Sequence, residues 1–280
     1  MAIYFSEYYP EAKAALQMEV SRTLFRGQSP FQKIDVVETP GFGRVLLIDD
    51  LVMLTEKDEF VYHEMIAHVP LHVHPHPGRV LVIGGGDGGT VREILKHPRV
   101  EHVDLVDIDQ MVTEVCLEYI PSVASHLKSE RVTCRFEDGV AFVKNATEKY
   151  DVILVDSTDP ISVGEGLFTP EFYRNCFNLL TEQGILVNQA ETPFYAPKWV
   201  GDIKRKLSDI FPILNFYQAH IPTYPSGHWL FGFASKSLHP VKDFIPDHVD
   251  PKLEAELKYY NREIHKAAFA LPNFVRRLID

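Results

Sequence analysis

"VLVIGGGDGGT", Val80 to Thr90, is the stretch on which the fold turns: a continuous apolar strand runs straight into a glycine turn and then a helix. The spacing Gly84-x-Gly86-x-x-Gly89 matches a dinucleotide-binding fingerprint, whose glycines let the backbone approach a pyrophosphate at a helix N-terminus. Yet Asp87 stands in the middle of that turn, where a carboxylate would repel a phosphate. The loop therefore reads as a nucleoside-type site with a negative charge built into it.

Outward from this stretch, the chain shows two rhythms. From Arg79 on, strands alternate with helices. The strands are "RVLVIG", "HVDLVDID", "RVTCRFED", "YDVILVDS" and "GILVNQ", and helical segments fall at Thr90–His97, Gln110–Tyr119 and Pro170–Leu180. Apolar strands separated by helices mean βαβ units and a parallel sheet covered on both faces, an α/β fold. After Phe211, "LNFYQAHIP" and "HWLFGFASK" return to a β pattern and should close the sheet with antiparallel strands. Before Arg79, the runs "KIDVVE", "RVLLID" and "LVMLT" follow in quick succession with turns at Pro40-Gly41 and Asp49-Asp50, which predicts a small antiparallel sheet. A helix is expected over "KDEFVYHEMIAHVPL" and an exposed interdomain loop over "HVHPHPG".

Composition narrows the partners. The net charge of −11 argues against nucleic acid or anionic lipid and suits a cationic small molecule. No apolar run approaches the roughly 18 residues of a membrane span. "MAIYFSEYYPEAK" lacks the basic-then-apolar layout of a signal peptide. Cys116, Cys134 and Cys176 are widely spaced and read as buried thiols of a reduced, cytoplasmic protein.

In sheets of this kind ligands bind outside the carboxyl ends of the strands. Asp87 follows the first strand of the series, Asp107 ends the second, Asp138-Gly139 the third, Asp156 and Asp159 the fourth, and Gln189 and Glu191 the fifth. Any one Asp at a strand end is ordinarily a turn former or helix cap. Successive strand ends carrying them along one rim make an acidic cup. Asp107, about twenty residues past the glycine turn, can accept both hydroxyls of a ribose. Asp138 can bond an adenine amino group while small Gly139 leaves room for the base. A dinucleotide would set its pyrophosphate against Asp87, and S-adenosylmethionine would bring a carboxylate beside its ammonium. A nucleoside sulfonium with a bare amine meets neither conflict.

Five stretches, "TEKDEFVYHEM" (Thr55–Met65), "GGGDGG" (Gly84–Gly89), "DSTDP" (Asp156–Pro160), "IPTYPSG" (Ile221–Gly227) and "YYNREIHKAAFALPNF" (Tyr259–Phe274), together resemble the spermidine synthases, the polyamine aminopropyltransferases. The resemblance runs from about Phe31 to Phe274. It implies an N-terminal β-domain over residues 1–57 on a methyltransferase-like Rossmann domain over 58–280, assembled as a homodimer or homotetramer. It implies transfer of an aminopropyl group from decarboxylated S-adenosylmethionine to a diamine, normally putrescine, giving spermidine and methylthioadenosine without a metal or redox cofactor. Carried over by position, Gln32, Asp107, Asp138 and Gly139 would hold the nucleoside, and His63 and Asp87 would contact the aminopropyl and polyamine portion. Asp156 would be the proton acceptor, Ser157 and Thr158 would line its loop, and Asp159 would help hold the amine.

The chemistry fits these residue types. A sulfonium is already an activated leaving group, so the obstacle is the nucleophile: an alkylamine has a pKa of about 10.4 and is protonated at neutral pH. Asp156 can take and orient its proton, and Tyr62 and Tyr224 offer hydroxyls to fix its lone pair. Asp159, Gln189 and Glu191 are candidates for the far ammonium. Three positions depart from the family pattern: Val163 stands where proline is common, Asp50 makes an Asp-Asp turn of a usual Asp-Gly, and His228 is unusual near the expected diamine pocket. His72, His74 and His76 alternate as metal ligands can, but the interleaved Pro75 and Pro77 favour a loop. A methyltransferase and a non-catalytic polyamine or nucleoside sensor are the competing readings, and cadaverine or agmatine could replace putrescine.

Overall fold

A computed structural model describes residues 2–158 and 162–280, the side chains of 162 and 163 excepted. The chain opens with a hairpin, β1 (Ile3–Tyr9) and β2 (Ala14–Val20), and a four-stranded antiparallel meander, β3 (Arg22–Gln28), β4 (Lys33–Thr39), β5 (Gly43–Ile48) and β6 (Leu51–Thr55). Helix α1 (Glu59–Leu71) leads into β7 (Arg79–Gly84), α2 (Gly89–Leu95), β8 (His102–Asp107), α3 (Gln110–Tyr119), the single turn α4 (Pro121–Ala124), β9 (Val132–Phe136), α5 (Gly139–Asn145) and β10 (Tyr150–Asp156). Then come α6 (Pro170–Leu179), β11 (Leu180–Gln189), α7 (Pro197–Ser208), β12 (Ile213–His220) and β13 (His228–Ser235). Three short helices, α8 (Pro251–Glu256), α9 (Arg262–Ala267) and α10 (Asn273–Ile279), complete the chain.

The larger sheet has seven strands in the order β12-β13-β11-β10-β7-β8-β9, with β7 to β11 parallel and β13 antiparallel to both neighbours. The expected parallel sheet with antiparallel closure is thus present. Period-two alternation explains why its central strands are apolar throughout. Val80 and Val82 of β7 face a core shared with α1, α2 and α3, while Leu81 and Ile83 face a second core under α6 and α7. The small sheet is two-sided in the same way. Leu46 and Ile48 of β5 join the main core, and Val45 and Leu47 pack under Met18 of the hairpin.

Two expectations change. Strands β1, β2 and β3 went unread because their residues alternate between exposed and half-buried, with Met18 and Glu7 their only buried side chains. The "HVHPHPG" segment does leave helix geometry, yet His72 and His74 are buried rather than exposed. The C-terminal segment covers them: Ile245 donates its N–H to the His72 carbonyl, and His72 Nδ1 lies 2.8 Å from the Tyr260 hydroxyl. The Asp49-Asp50 turn keeps its hairpin, with both residues at positive φ (50° and 65°) and Ile48 paired to Leu51. That two-residue geometry suits the right-handed twist of the strands, and Asp is among the few side chains that tolerate it.

Helix α1 binds the parts together. All its residues except Phe60 are buried, including Glu59, His63, Glu64 and His68. Such groups are stable inside a protein only when their polar atoms are partnered. Glu64 accepts three backbone N–H groups, those of Lys258, Tyr259 and Tyr260, at 2.8–2.9 Å. Asp58, just before the helix, accepts the N–H and hydroxyl of Thr223 at 3.0 and 2.7 Å. These bonds join three of the stretches that carry the family resemblance. Glu64→Ala strands three amide donors and should lower stability by about 3 kcal/mol. A lower urea midpoint with an unchanged slope, and faster amide exchange at residues 258–260, are the expected readings.

Candidate functional site

The order of the large sheet reverses between β7 and β10, since the chain proceeds from β7 to β8 and β9 on one side and to β10 and β11 on the other. A crevice at such a reversal, beyond the strands' carboxyl ends, is where open α/β sheets bind ligands. Asp156 pairs with Gly84 across that point. The cavity there is lined from the sheet side by the glycine turn, Asp107, Asp138, Gly139, Asp156, Ser157, Thr158 and Gln189. Tyr62 and His63 of α1, Gln32 from the β3–β4 turn, and Tyr224 complete it. Twelve residues expected at the site thus meet in one cavity. Asp159 lies outside the described residues.

At one end stands Asp107. Its carboxylate accepts Gly86 N–H at 3.0 Å and Asp109 N–H at 2.8 Å, one on each oxygen. Each oxygen keeps acceptor capacity for a hydroxyl. Burial pushes this carboxyl up to about 6, although those two N–H bonds favour the charged form. Gln32 is oriented by its amide, which donates to Asp109 Oδ2 at 3.0 Å, and Asp109 also receives the Ser29 hydroxyl at 2.6 Å. Asp138 caps α5 by accepting Val140 N–H at 2.8 Å, so its ordinary role as a cap is real and coexists with its place in the cavity. At Gly139 a Cβ would meet Ile83 Cγ2 at 2.7 Å.

At the other end, one atom each of His63, Asp87 and Asp156 lie within 4.8 Å of one another, a cradle for a cation. Asp87 Oδ1 accepts Gly89 N–H at 2.8 Å and faces His63 Nε2 at 3.4 Å. Burial favours a neutral His63 ring, but Asp87, Glu59 and Asp156 outweigh it and hold the imidazole near 9, charged at neutral pH. Burial and the Asp87 charge raise the Asp156 carboxyl above the usual range, against the pull of His63 and of the Thr90 and Tyr62 hydroxyls. Thr90 donates to Asp156 at 2.6 Å. Asp156 is therefore a stronger base than an ordinary aspartate.

The glycine turn serves these side chains. A Cβ at Gly86 would lie 2.8 Å from Asp107 Oδ2, and one at Gly89 would collide with the His63 ring. The pattern that elsewhere admits a pyrophosphate here admits the site's own acid and imidazole.

Other expectations shift in detail. Tyr224 donates its hydroxyl to the Met53 carbonyl at 2.7 Å, so toward a ligand its oxygen acts as an acceptor. Gln189 lines the cavity and its side-chain Oε1 accepts Glu191 N–H, whereas Glu191 itself, buried at φ 70°, is not among the described lining residues. His228 does not face the diamine pocket. It pairs with Gln218 at 2.8 Å, and its strand neighbour Trp229, on the opposite face, lines the cavity instead. The Val163 side chain lies outside the described part. Sequence reading missed Thr90, Glu7 and Glu59. Thr90 lies in the first turn of α2, and Glu7 belongs to a strand that carried no pattern. Glu59 alone left a signal, its i,i+4 spacing to His63.

The sequence and fold have counterparts among known proteins. Residues 59–244 match the family model for the spermine/spermidine synthase domain, and residues 3–56 that for the spermidine synthase tetramerisation domain. The chain is 52% identical to a polyamine aminopropyltransferase of Alkaliphilus metalliredigens, covering 100% of this chain and 99% of that one. It is 50% identical, with the same coverage, to that of Clostridioides difficile. Among solved structures it superposes on a spermidine synthase in complex with the transition-state analogue AdoDATO with TM-score 0.96, at 44% identity over 99% of this chain and 94% of that one. The spermidine synthase of Thermotoga maritima follows with TM-score 0.94, 44% identity and the same coverage. The chain belongs to the spermidine synthase family and is a transferase, a polyamine aminopropyltransferase.

Proposed function

We propose that the enzyme transfers the aminopropyl group of decarboxylated S-adenosylmethionine to putrescine, giving spermidine and methylthioadenosine. The observation that carries this reading is the Asp87–His63–Asp156 cradle at the place a phosphate would occupy, with Asp107 at the nucleoside end of the same cavity. Gln32, Asp107, Asp138 and Gly139 hold the nucleoside, and Asp87 receives the donor's ammonium. A carboxylate on the donor would sit against Asp87. The decarboxylated form removes that repulsion.

The amine nitrogen attacks the aminopropyl methylene carbon bonded to sulfur. The new C–N bond forms as the C–S bond breaks, and sulfur keeps the electron pair as a neutral thioether. Asp156 takes the proton from the amine, and Tyr62 and Tyr224 orient the nitrogen. Ser157 and Thr158 line the loop beside it. The buried Ser157 hydroxyl has no hydrogen-bond partner among the described residues, as befits a group reserved for ligand. Gln189 and Asp159 serve the far ammonium, and Glu7, which lines the cavity while accepting Val52 N–H at 3.1 Å, adds a second anion there. Because the sulfonium leaves unaided, the reaction calls for no metal or redox cofactor. A homo-oligomer assembled through the N-terminal hairpin is supported by the exposure of Ile3, Tyr4 and Tyr8 on one strand. Three free cysteines suit a cytoplasmic enzyme.

Product analysis with decarboxylated S-adenosylmethionine against putrescine, cadaverine and agmatine tests the reaction. Spermidine and methylthioadenosine should be the main products, and a methylated amine from S-adenosylmethionine would refute it. Asp156→Asn should cost on the order of 10²–10⁴-fold in turnover while leaving methylthioadenosine affinity largely intact. The Asp107 carboxyl sets a pH dependence on binding. Its charged form accepts the ribose hydroxyls and its protonated form does not, so protons compete with the nucleoside below about pH 6. Calorimetric affinity for methylthioadenosine should be flat above pH 7 and fall toward tenfold per pH unit below 6. Asp87→Asn should weaken the decarboxylated donor by about ten- to a hundredfold, the worth of a charge-assisted hydrogen bond. The preference over S-adenosylmethionine should narrow with it in competitive titration.

A further inference from the structure

Behind the imidazole of the site lies a chain of charges that does not reach the cavity. Arg92 of α2 grips Glu59 with both terminal nitrogens, Nη1 to Oε1 at 3.0 Å and Nη2 to Oε2 at 2.8 Å. Glu59 Oε2 lies 2.6 Å from His63 Nδ1, one helical turn along α1. His63 Nε2 faces Asp87 on the other side of the ring. Arg92 is itself fixed, with Nε donating to Glu93 at 2.8 Å and Nη1 to the Ser122 carbonyl at 3.4 Å. The His63 and Glu59 side chains are only 4% and 6% exposed, so neither can reorient into solvent. Neither Glu59 nor Arg92 lines the cavity, so any effect on the reaction must pass through His63.

We propose that Glu59, clamped by Arg92, is a positioning residue for aminopropyl transfer: it holds the Nδ1 proton of His63 and thereby aims Nε2–H at Asp87. This rests on the reaction proposed above. An imidazole between two carboxylates donates from both nitrogens only as the cation. The groups that face it are Glu59 and Tyr62 on its own helix, Asp87 on the glycine turn and Asp156 at the end of β10, with Arg92 of α2 behind Glu59. With the ring charged, Asp87 and Asp156 share a counter-ion between them. With the ring neutral, two like charges would face each other in a buried space, and the proton acceptor would hold a proton before the amine arrived.

The sign of the effect follows. Removing the Glu59 charge lowers the pH at which His63 gives up its proton. Asp156 then loses a neighbouring cation, its own affinity for a proton rises, and the acid limb of kcat/KM moves to higher pH.

The test combines two measurements on the full chain. Nitrogen-15 NMR of the imidazoles in ligand-free protein follows the His63 titration, and steady-state kinetics with decarboxylated S-adenosylmethionine and putrescine gives the pH profile. Wild type should keep both His63 nitrogens protonated beyond pH 8. Glu59→Gln should titrate more than two pH units lower, below pH 7, shift the acid limb upward and lose roughly tenfold in kcat/KM at pH 7. Glu59→Asp, which keeps the charge, should recover part of both effects. Should Glu59→Gln alone fail to fold because it leaves Arg92 unpaired, the double variant Glu59→Gln/Arg92→Gln restores a neutral hydrogen-bonded pair and should show the same lowered titration and shifted profile. An unshifted His63 titration in the folded variant overturns the proposal, as does a shifted titration with an unchanged pH profile. If wild type transfers no aminopropyl group, the proposed reaction fails instead, and the titration, which uses no substrate, still decides whether Glu59 holds His63.

Discussion

Everything in this structure leans on the cost of burying a charged helix. α1 carries Glu59, His63, Glu64 and His68 into the interior, each with a partner from another segment or its own turn. A buried ion without a partner would cost several kcal/mol, so the helix can exist here only if the β-meander, the glycine turn and the C-terminal segment arrive in register with it. Its ionic side chains act as pegs. Arg92 comes from α2, Glu93 from the same helix, three amides from residues 258–260, and Thr223 from the loop before β13. Apolar packing makes the core, but these polar bonds select one arrangement of it. The residues that fix the arrangement are neighbours in sequence of those that line the cavity.

The site repeats that logic on a smaller scale. An acidic cup that awaits a cation is unstable while empty, because its carboxylates repel one another. The protein relieves this partly from within, through the His63 imidazolium and the amides of the glycine turn that bond Asp87 and Asp107. Burial, with what repulsion is left, raises the proton affinity of Asp156, which is useful in a residue meant to take a proton from an amine. A cationic donor entering this space completes the charge balance instead of creating it.

The large sheet was legible because its strands are buried on both faces and therefore apolar throughout, and because parallel strands need helices between them. The strand-end acids were legible for the same reason: once the sheet is known, its carboxyl rim is known. Asp107, Asp138 and Asp156 follow from that rule alone. Gln32, His63 and Tyr224 do not, since they come from a turn, a helix and a distant loop whose convergence no local pattern encodes. The family resemblance supplied them. Arg92 and Glu59 are 33 positions apart, and only the packing of α1 on α2 brings them together. The buried His72 and His74 were misread because proline marks a loop but says nothing of what later folds over it. His228 was misjudged by one residue, which on a strand means the opposite face.

The contact between Gly89 and the His63 ring has an evolutionary consequence. Residue 89 cannot acquire a side chain while an imidazole occupies residue 63. Loss of the ring at residue 63 must therefore come before, or with, any change at residue 89. The same glycine spacing serves pyrophosphate binding elsewhere and makes room for an imidazole here. Glycine spacing alone thus cannot tell the two trades apart. The residue that the glycine makes room for can.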